Sequence, residues 1–122
     1  MNHTKHILAI DDTESIRVFL RISMQACGFQ FSEAATAKKG VEAATSDKPD
    51  LVILDLGLPD RDGLDILPEI KALEHNPKVI ILSVRKDLQT QRQALTLGAD
   101  AYISKPFMMD MLLDTINKQI IE

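Results

Sequence analysis

The sequence has little of several features that mark specialised classes of protein. Its 122 residues include one cysteine, Cys27, no tryptophan, one tyrosine and four phenylalanines. A lone cysteine cannot form an internal disulfide, which argues against a disulfide-stapled secreted scaffold. No apolar run approaches the roughly 20 residues that span a bilayer, and the N-terminus leads straight into an apolar strand. We therefore expect no membrane segment, no signal peptide and a cytoplasmic location.

Excess basic charge is also missing. The chain carries 14 Lys and Arg against 18 Asp and Glu, for a net charge of −4. The basic residues form no stripe, and few aromatic residues are present for base stacking, so we expect no direct contact with nucleic acid. The chain is 45% apolar and 26% charged. This composition and length predict one globular domain over residues 1–122.

Five short apolar runs alternate with five segments of helical period. The third and fourth runs are almost continuous in β-branched residues and leucine, which is typical of strands covered on both faces. The predicted strands are 6–11, 29–33, 51–55, 78–83 and 101–104. The predicted helices cover about 13–27, 36–46, a segment following Gly63, 87–97 and 108–121.

The first predicted helix shows the clearest pattern. Its apolar stripe has i, i+3, i+4 spacing and consists of Ile16, Phe19, Leu20, Met24 and Cys27, so we expect Cys27 to be a small buried side chain. Asp12 stands where an N-cap would, and Gly28 where the chain leaves the helix. The scattered residues His3, His6 and His75 are expected to be solvated, because none has a second ligand at suitable spacing.

Regular βα alternation with short connections predicts an α/β fold with right-handed crossovers. Five units favour a flavodoxin-like, doubly wound (βα)5 architecture. Its five-stranded parallel sheet has the order 2-1-3-4-5, with helices on both faces. In such sheets, ligands bind at the carboxyl ends of the strands.

The residues at those strand ends form one constellation: Asp11, Asp12, Asp55, Ser83 and Lys105. Two carboxylates about 5 Å apart repel by roughly 3 kcal/mol at an effective dielectric near 20. A hard divalent cation removes that cost, and oxygen ligands with room for water suit Mg²⁺. Asp55 follows the central strand and is the best nucleophile toward phosphorus, forming an aspartyl phosphate. The metal and Lys105 would neutralise charge on the phosphoryl oxygens.

Two other functions on the same fold fit these residues less well. A flavodoxin binds the phosphate of its flavin in the loop after the first strand, where Asp11 and Asp12 would repel that anion. A phosphatase of the haloacid-dehalogenase type needs a second acid two residues after its nucleophile, and that position is Gly57. The sequence therefore favours a phosphoacceptor without a general acid at position 57.

Together these residues resemble the response-regulator receiver domain family (the CheY-like superfamily) along nearly the whole chain. The matching pieces are Asp11-Asp12, LVILDLGLPDRDG over 51–63, Ser83, and GADAYISKPF over 98–107. The outline LDLGLPDRDG is most similar to receivers of the winged-helix (OmpR/PhoB) class. The resemblance implies a two-component signalling switch that catalyses only its own phosphorylation and dephosphorylation. A histidine kinase or phosphotransfer protein would donate the phosphoryl group to Asp55.

The resemblance also implies a role for each position. Asp12 and Asp55 would bind Mg²⁺ directly, Asp11 would help through water, and the backbone carbonyl of Gly57 would complete the ligands. Lys105 would pair with the phosphoryl group, and the bond from Lys105 to Pro106 would be cis. Ser83 and Tyr102 would form the switch pair, and the face made by helix 4, strand 5 and helix 5 would report the change to an output partner.

Several positions depart from the usual family pattern. Val84 is bulkier than the residue that commonly follows the switch hydroxyl, so it is expected to narrow access to Asp55. Gly57 and Arg85 occupy the variable positions that tune dephosphorylation, and the missing side chain at Gly57 predicts a long-lived phosphoryl state. Met108, Met109 and Met111 make the start of helix 5 apolar, and ordinary packing is the favoured interpretation for Met108 and Met111.

Two alternative functions remain: a metal-dependent phosphohydrolase with Asp55 as nucleophile, and a degenerate receiver that acts only as a docking module.

Overall fold

Five strands and five helices alternate along the chain in a computed structural model that describes residues 4–121. The strands are β1 (His6–Ile10), β2 (Gln30–Ala34), β3 (Leu51–Leu54), β4 (Lys78–Ser83) and β5 (Ala101–Ser104). The helices are α1 (Glu14–Ala26), α2 (Ala37–Asp47), α3 (Gly63–Lys71), α4 (Leu88–Thr96) and α5 (Met109–Ile120).

All five strands pair in parallel, in the order β2-β1-β3-β4-β5. This confirms the predicted flavodoxin-like (βα)5 architecture. Because each crossover returns the chain to the same edge, the carboxyl ends of β1, β3, β4 and β5 lie side by side. No helix within 4–121 has the length and apolar character needed to cross a membrane.

The sheet separates two hydrophobic clusters, because successive strand residues point to opposite faces. In β3, Val52 and Leu54 pack with residues of α2, α3 and α4, whereas Leu51 and Ile53 pack with residues of α1 and α5. All four side chains are buried. Burial on both faces explains why this strand reads as a continuous apolar run rather than an alternating one.

The start of α1 differs from the sequence prediction. Thr13, rather than Asp12, is the N-cap, and its side chain makes no capping hydrogen bond. The Thr13 N–H instead donates to Oδ1 of Asp11 at 2.9 Å, and the Asp11 carbonyl accepts from Arg17 Nη1 at 2.7 Å. These contacts to Asp11 keep Asp12 in the loop, so α1 begins one residue later than predicted. Asp12 is left exposed next to the acidic site, not capping the helix.

Four side chains expected to be buried lie at the surface. Cys27 is the C-cap that follows the last helical residue of α1, and its side chain is exposed. Phe19, Met108 and Met111 are about half exposed or more, since α1 and α5 bury only part of their apolar faces against the sheet. The predicted packing roles of Cys27, Met108 and Met111 are therefore wrong.

The histidines also differ from their expected solvated roles. His6 lies in β1, and its Nε2 is 2.9 Å from Ser32 Oγ in β2. Nε2 of His75 is buried and has no hydrogen-bond partner within the described residues. His3 lies outside residues 4–121. Neither described histidine is near the carboxyl edge of the sheet, because both belong to segments that enter the strands from the opposite end.

Candidate functional site

The strand register brings the three predicted acids together. Ile10 is opposite Leu54, and the ladder continues past both strands, since the Asp55 N–H donates to the Ile10 carbonyl at 2.9 Å. Asp11 and Asp55 therefore begin adjacent loops. One carboxylate oxygen from each of Asp11, Asp12 and Asp55 lies within 4.8 Å of the others. Asp11 is 2% exposed and Asp55 6% exposed, whereas Asp12 faces solvent.

Lys105 reaches this cluster from the end of β5. Ser83 pairs with Ser104, and the Lys105 N–H donates to the Ser83 carbonyl at 2.8 Å, so the lysine begins the next loop at the same edge. Its Nζ is 2.8 Å from Asp11 Oδ2 and 3.7 Å from Asp55 Oδ2. The peptide bond between Lys105 and Pro106 is cis. A largely buried ammonium group thus lies close to two of the three acids.

The surroundings of Asp55 disfavour its charged form. Burial raises the pKa of the Asp55 carboxyl above its ordinary value, and the charge of Asp11 raises it further. The ammonium of Lys105 and the hydrogen bond from the Gly57 N–H to Oδ1, at 3.3 Å, act in the opposite direction. Lys105 therefore compensates only part of the negative charge, which leaves the site suited to a further cation.

The donor set fits a hard divalent ion. All three side chains offer carboxylate oxygens, the ligands that Mg²⁺ prefers, and Asp12 is open to solvent, which leaves room for metal-bound water. Both oxygens of Asp11 already accept hydrogen bonds, Oδ1 from the Thr13 N–H and Oδ2 from Lys105. Asp12 and Asp55 are consequently the less engaged carboxylates.

Ser83 and Tyr102 meet through one residue, Arg85. Ser83 is buried at the end of β4, and its Oγ accepts the Arg85 N–H at 3.1 Å. The Tyr102 hydroxyl donates to the Arg85 carbonyl at 2.7 Å. Burial raises the pKa of the Tyr102 phenol, which keeps it a neutral donor. The side chain of Val84, which lies between Ser83 and Arg85 in the sequence, is 69% exposed.

Sequence reasoning missed two aspartates in the loop after β3. Asp60 accepts the backbone N–H groups of Ala37 and Lys38 at 2.8 and 3.0 Å, and so caps α2 from a distant segment. Asp62 is the N-cap of α3, accepting the Leu64 N–H at 2.9 Å, and it also pairs with Arg85. The position of Asp62 before Gly63 was a capping signal, but nothing in the pattern indicated its partner across the sheet edge.

Comparison with known proteins agrees with this arrangement. The family model of the response regulator receiver domain matches residues 7–117. The chain is 45% identical over 107 residues to the transcriptional regulatory protein KdpE of Mycobacterium tuberculosis (strain H37Rv), covering 88% of this chain and 47% of that protein. It is 42% identical over 102 residues to the KDP operon transcriptional regulatory protein KdpE of Escherichia coli K12, covering 84% and 45%. The chain thus spans about half the length of these relatives.

Two further proteins are similar over nearly their whole length. Sporulation initiation phosphotransferase F of Bacillus subtilis is 33% identical over 114 residues, which covers 93% of this chain and 92% of that protein. A receiver domain protein (CheY-like) from Methanospirillum hungatei superposes with a TM-score of 0.91 at 30% identity, covering 95% and 93% of the two chains. The likeness to the OmpR/PhoB class is confirmed by the KdpE relatives. The chain therefore belongs to the response regulator receiver domain family, which consists of phosphorylation-dependent switches of two-component signalling rather than classical enzymes.

Proposed function

We propose that Asp55 accepts a phosphoryl group from a phosphohistidine of a histidine kinase or phosphotransfer protein, in a reaction that requires Mg²⁺. The observation that carries this proposal is the placement of Asp55. Its carboxylate is buried beside the oxygens of Asp11 and Asp12, with Lys105 Nζ 3.7 Å away. This arrangement combines a carboxylate nucleophile with a cation-binding acidic site and a fixed ammonium group.

In this reaction an Asp55 carboxylate oxygen attacks phosphorus. A P–O bond forms, the P–N bond to the donor histidine breaks, and the histidine nitrogen keeps the bonding electron pair. Bound Mg²⁺ would supply positive charge to the carboxylates and the phosphoryl oxygens. Asp12, Asp55 and the Gly57 carbonyl would hold the ion directly, and Asp11 would act through water while orienting Lys105. Lys105, already between Asp11 and Asp55, would pair with the transferred group.

The output is assigned to the face formed by α4, β5 and α5. Ser83 ends β4, directly before the β4–α4 loop, and its Oγ accepts the N–H of Arg85 in that loop. Tyr102 in β5 donates its hydroxyl hydrogen to the Arg85 carbonyl. A new dianionic group on Asp55 would attract the Ser83 hydroxyl and so disturb the Tyr102 contact. The expected consequence is inward rotation of Tyr102 and a changed face for a partner or output domain.

An apolar surface beside the site suits a protein phosphodonor. Phe19 and Ile22 on α1 are 47% and 63% exposed, and the Phe19 ring lies 6.1 Å from that of Phe107, two residues after Lys105. We expect the donor to cover this surface while its phosphohistidine reaches Asp55. Ile22→Glu should slow transfer from a phosphohistidine protein while leaving phosphorylation by phosphoramidate unchanged. Equal slowing of both reactions would contradict this docking surface.

The decisive experiment is intact mass spectrometry after treatment with phosphoramidate and Mg²⁺. The wild-type chain should gain one phosphoryl group, and neither Asp55→Asn nor wild type in EDTA should gain it. Retention of the label in Asp55→Asn would assign the acceptor to another residue, and no labelling of wild type would favour a docking module without phosphorylation. Asp55→Asn is a close isostere, so its thermal unfolding serves as a check that the fold is intact.

The alternative phosphohydrolase activity is less well supported at position 57. Gly57 has no side chain to protonate a leaving group, and its N–H is already directed at Asp55. Sustained turnover of a phosphomonoester by the wild-type chain would favour that alternative.

We place the chain in the cytoplasm, because its single exposed thiol suits a reducing compartment. Recovery from cells together with periplasmic proteins would contradict this location.

A further inference from the structure

Arg85 connects two loops that border Asp55. Its Nη1 lies 3.2 and 3.0 Å from the two carboxylate oxygens of Asp62, and its Nη2 lies 3.5 Å from the Leu56 carbonyl. Leu56 directly follows Asp55, and Asp62 precedes α3. The guanidinium therefore spans from the β4–α4 loop to the β3–α3 loop. We call the pair of Arg85 and Asp62 the clasp.

Both ends of the clasp are held in place by other contacts. Asp62 caps α3 through the Leu64 N–H and forms a β-bridge with Gly57. The Arg85 backbone holds the Ser83 hydroxyl on one side and the Tyr102 hydroxyl on the other. A movement of Ser83 toward Asp55, or of Tyr102 away from the loop, therefore breaks a hydrogen bond to the Arg85 backbone, while the Arg85 side chain holds this loop to Asp62.

We propose that the clasp restrains the unphosphorylated state, and that a phosphoryl group on Asp55 competes with Asp62 for the Arg85 guanidinium. This inference rests on the proposed function of Asp55. A phosphoryl group carries a charge of about −1.5 to −2, against −1 for Asp62, and a guanidinium forms charge-assisted hydrogen bonds with either anion. The side chains of Arg85 and Asp62 are 34% and 39% exposed, so their pair is weak enough to exchange. Arg85 is thus a positioning residue for the switch.

A double-mutant cycle with Asp62→Asn and Arg85→Gln separates this role from structural effects. Asparagine is as good an N-cap as aspartate, so Asp62→Asn keeps the cap of α3 while removing the charge that holds Arg85. The probe is beryllium fluoride, added in the presence of saturating Mg²⁺. Its binding is monitored through the fluorescence of Tyr102, since the chain has one tyrosine and no tryptophan. Asp62→Asn should tighten binding by about two- to fivefold, the range for a half-exposed ion pair. In the Arg85→Gln background, the same change should have no effect.

Equal tightening in both backgrounds would show a general charge effect and would overturn the clasp. Weaker binding in Asp62→Asn would overturn it as well. A second readout uses the protein without any phosphoryl analogue: hydrogen exchange of the backbone amides in residues 83–87. Release of Arg85 should speed this exchange about two- to fivefold in Asp62→Asn, whereas an unchanged rate would overturn the restraint.

The two readouts also distinguish failure of the clasp from failure of the proposed function. If wild type is neither labelled by phosphoramidate nor bound by beryllium fluoride, the proposed function fails, and the competition at Arg85 fails with it. If wild type is labelled normally but Asp62→Asn matches it in both readouts, only the clasp fails. Arg85→Lys provides a conservative check, because lysine keeps the charge but has no second nitrogen to reach the Leu56 carbonyl while the first contacts Asp62. It should resemble Arg85→Gln in the cycle.

Discussion

Two glycines near Asp55 face very different amounts of space. A Cβ on Gly63 would lie 2.4 Å from the backbone oxygen of Asp55 and 2.7 Å from Cα of Leu56, so the backbone that carries the phosphoacceptor would have to move. A Cβ on Gly57 would meet nothing within 4 Å. The close approach at Gly63 lets α3 begin directly behind Asp55, whereas Gly57 leaves the opening of the site free.

We predict that Gly63→Ala destabilises the chain by about 1–3 kcal/mol, as overpacking against fixed backbone usually does. Gly57→Ala is the matched control and should stay within about 0.5 kcal/mol of wild type. Urea unfolding followed by circular dichroism measures both. Similar midpoints for the two variants would show that the backbone near Asp55 yields easily to a new side chain.

The open space at Gly57 also permits a direct test of phosphoryl lifetime. With no side chain there to orient a water molecule, the phosphoryl group is predicted to be long-lived. Gly57→Asn adds a polar group at a position where a Cβ meets nothing within 4 Å, and it should speed phosphate loss by at least about tenfold, below the roughly hundredfold of a fully placed general base. Release of inorganic phosphate from the labelled chain measures this, with Gly57→Ala as control. A wild-type half-life of seconds would contradict the prediction.

Residue-level prediction from sequence succeeded where strand ends determine position. Asp11, Asp55, Ser83 and Lys105 each follow an apolar run, and parallel pairing brings those ends together. The Asp62 contact with Arg85 was not predictable in the same way. It depends on how far an arginine side chain reaches between two loops, and neither residue belongs to a periodic pattern that reports such reach.

At the scale of elements, helix ends were less predictable than helix identity. The N-cap of α1 is Thr13 rather than the predicted Asp12, because the side chain and carbonyl of Asp11 accept hydrogen bonds from Thr13 and Arg17 and so hold the preceding loop. Exposure of the Phe19 and Cys27 side chains was also missed. Spacing places them on the apolar side of α1, but only the packed structure shows where the sheet beneath the helix ends.

The capping of α2 by Asp60 gives a prediction for that element. Backbone N–H donors, from Lys38 first and Ala37 second, hold the pKa of Asp60 below its ordinary value of 3.8. A lowered folded-state pKa means that the cap contributes stability above pH 3.8 and loses it as the pH falls through the folded pKa. Asp60→Asn should therefore lower the unfolding temperature by a few degrees at neutral pH.

The pH dependence separates the charge of Asp60 from its shape. The difference between Asp60→Asn and wild type should shrink as the pH falls below the folded pKa, because wild type then carries a neutral carboxyl. Asp47→Asn, at the other end of α2, is the control and should show no such loss at neutral pH. A deficit of Asp60→Asn that is independent of pH would point to side-chain geometry rather than charge.

At the scale of the whole molecule, the alternation of apolar strands with amphipathic helices was enough to predict the sheet order and the two-sided core. Both faces of β3 are buried, with Val52 and Leu54 on one face and Leu51 and Ile53 on the other. That topology places the carboxyl ends of the strands, where ligands bind in such sheets, along one edge. The fold was therefore predictable before any side chain was placed, and the acidic cluster followed from it.

Collecting three acids at that edge connects metal binding to global stability. Burial and the neighbouring carboxylates raise the pKa of Asp55, so the stability of the metal-free fold falls as the pH rises from 3.8 through the folded-state pKa. Mg²⁺ should offset this cost and stabilise the chain by about 2.7 kcal/mol at one hundred times its dissociation constant. Thermal unfolding in EDTA and in a Mg²⁺ series measures the effect.

Asp12→Asn should change the unfolding temperature differently in EDTA and in Mg²⁺. Removal of one repelling charge should leave the variant at least as stable as wild type in EDTA, while loss of a metal ligand should remove most of the gain from Mg²⁺. Glu42→Gln, an exposed acid on α2, is the control for net charge and should respond to Mg²⁺ as wild type does. If Glu42→Gln lost the response equally, Mg²⁺ would be acting by screening the surface rather than by binding at Asp12.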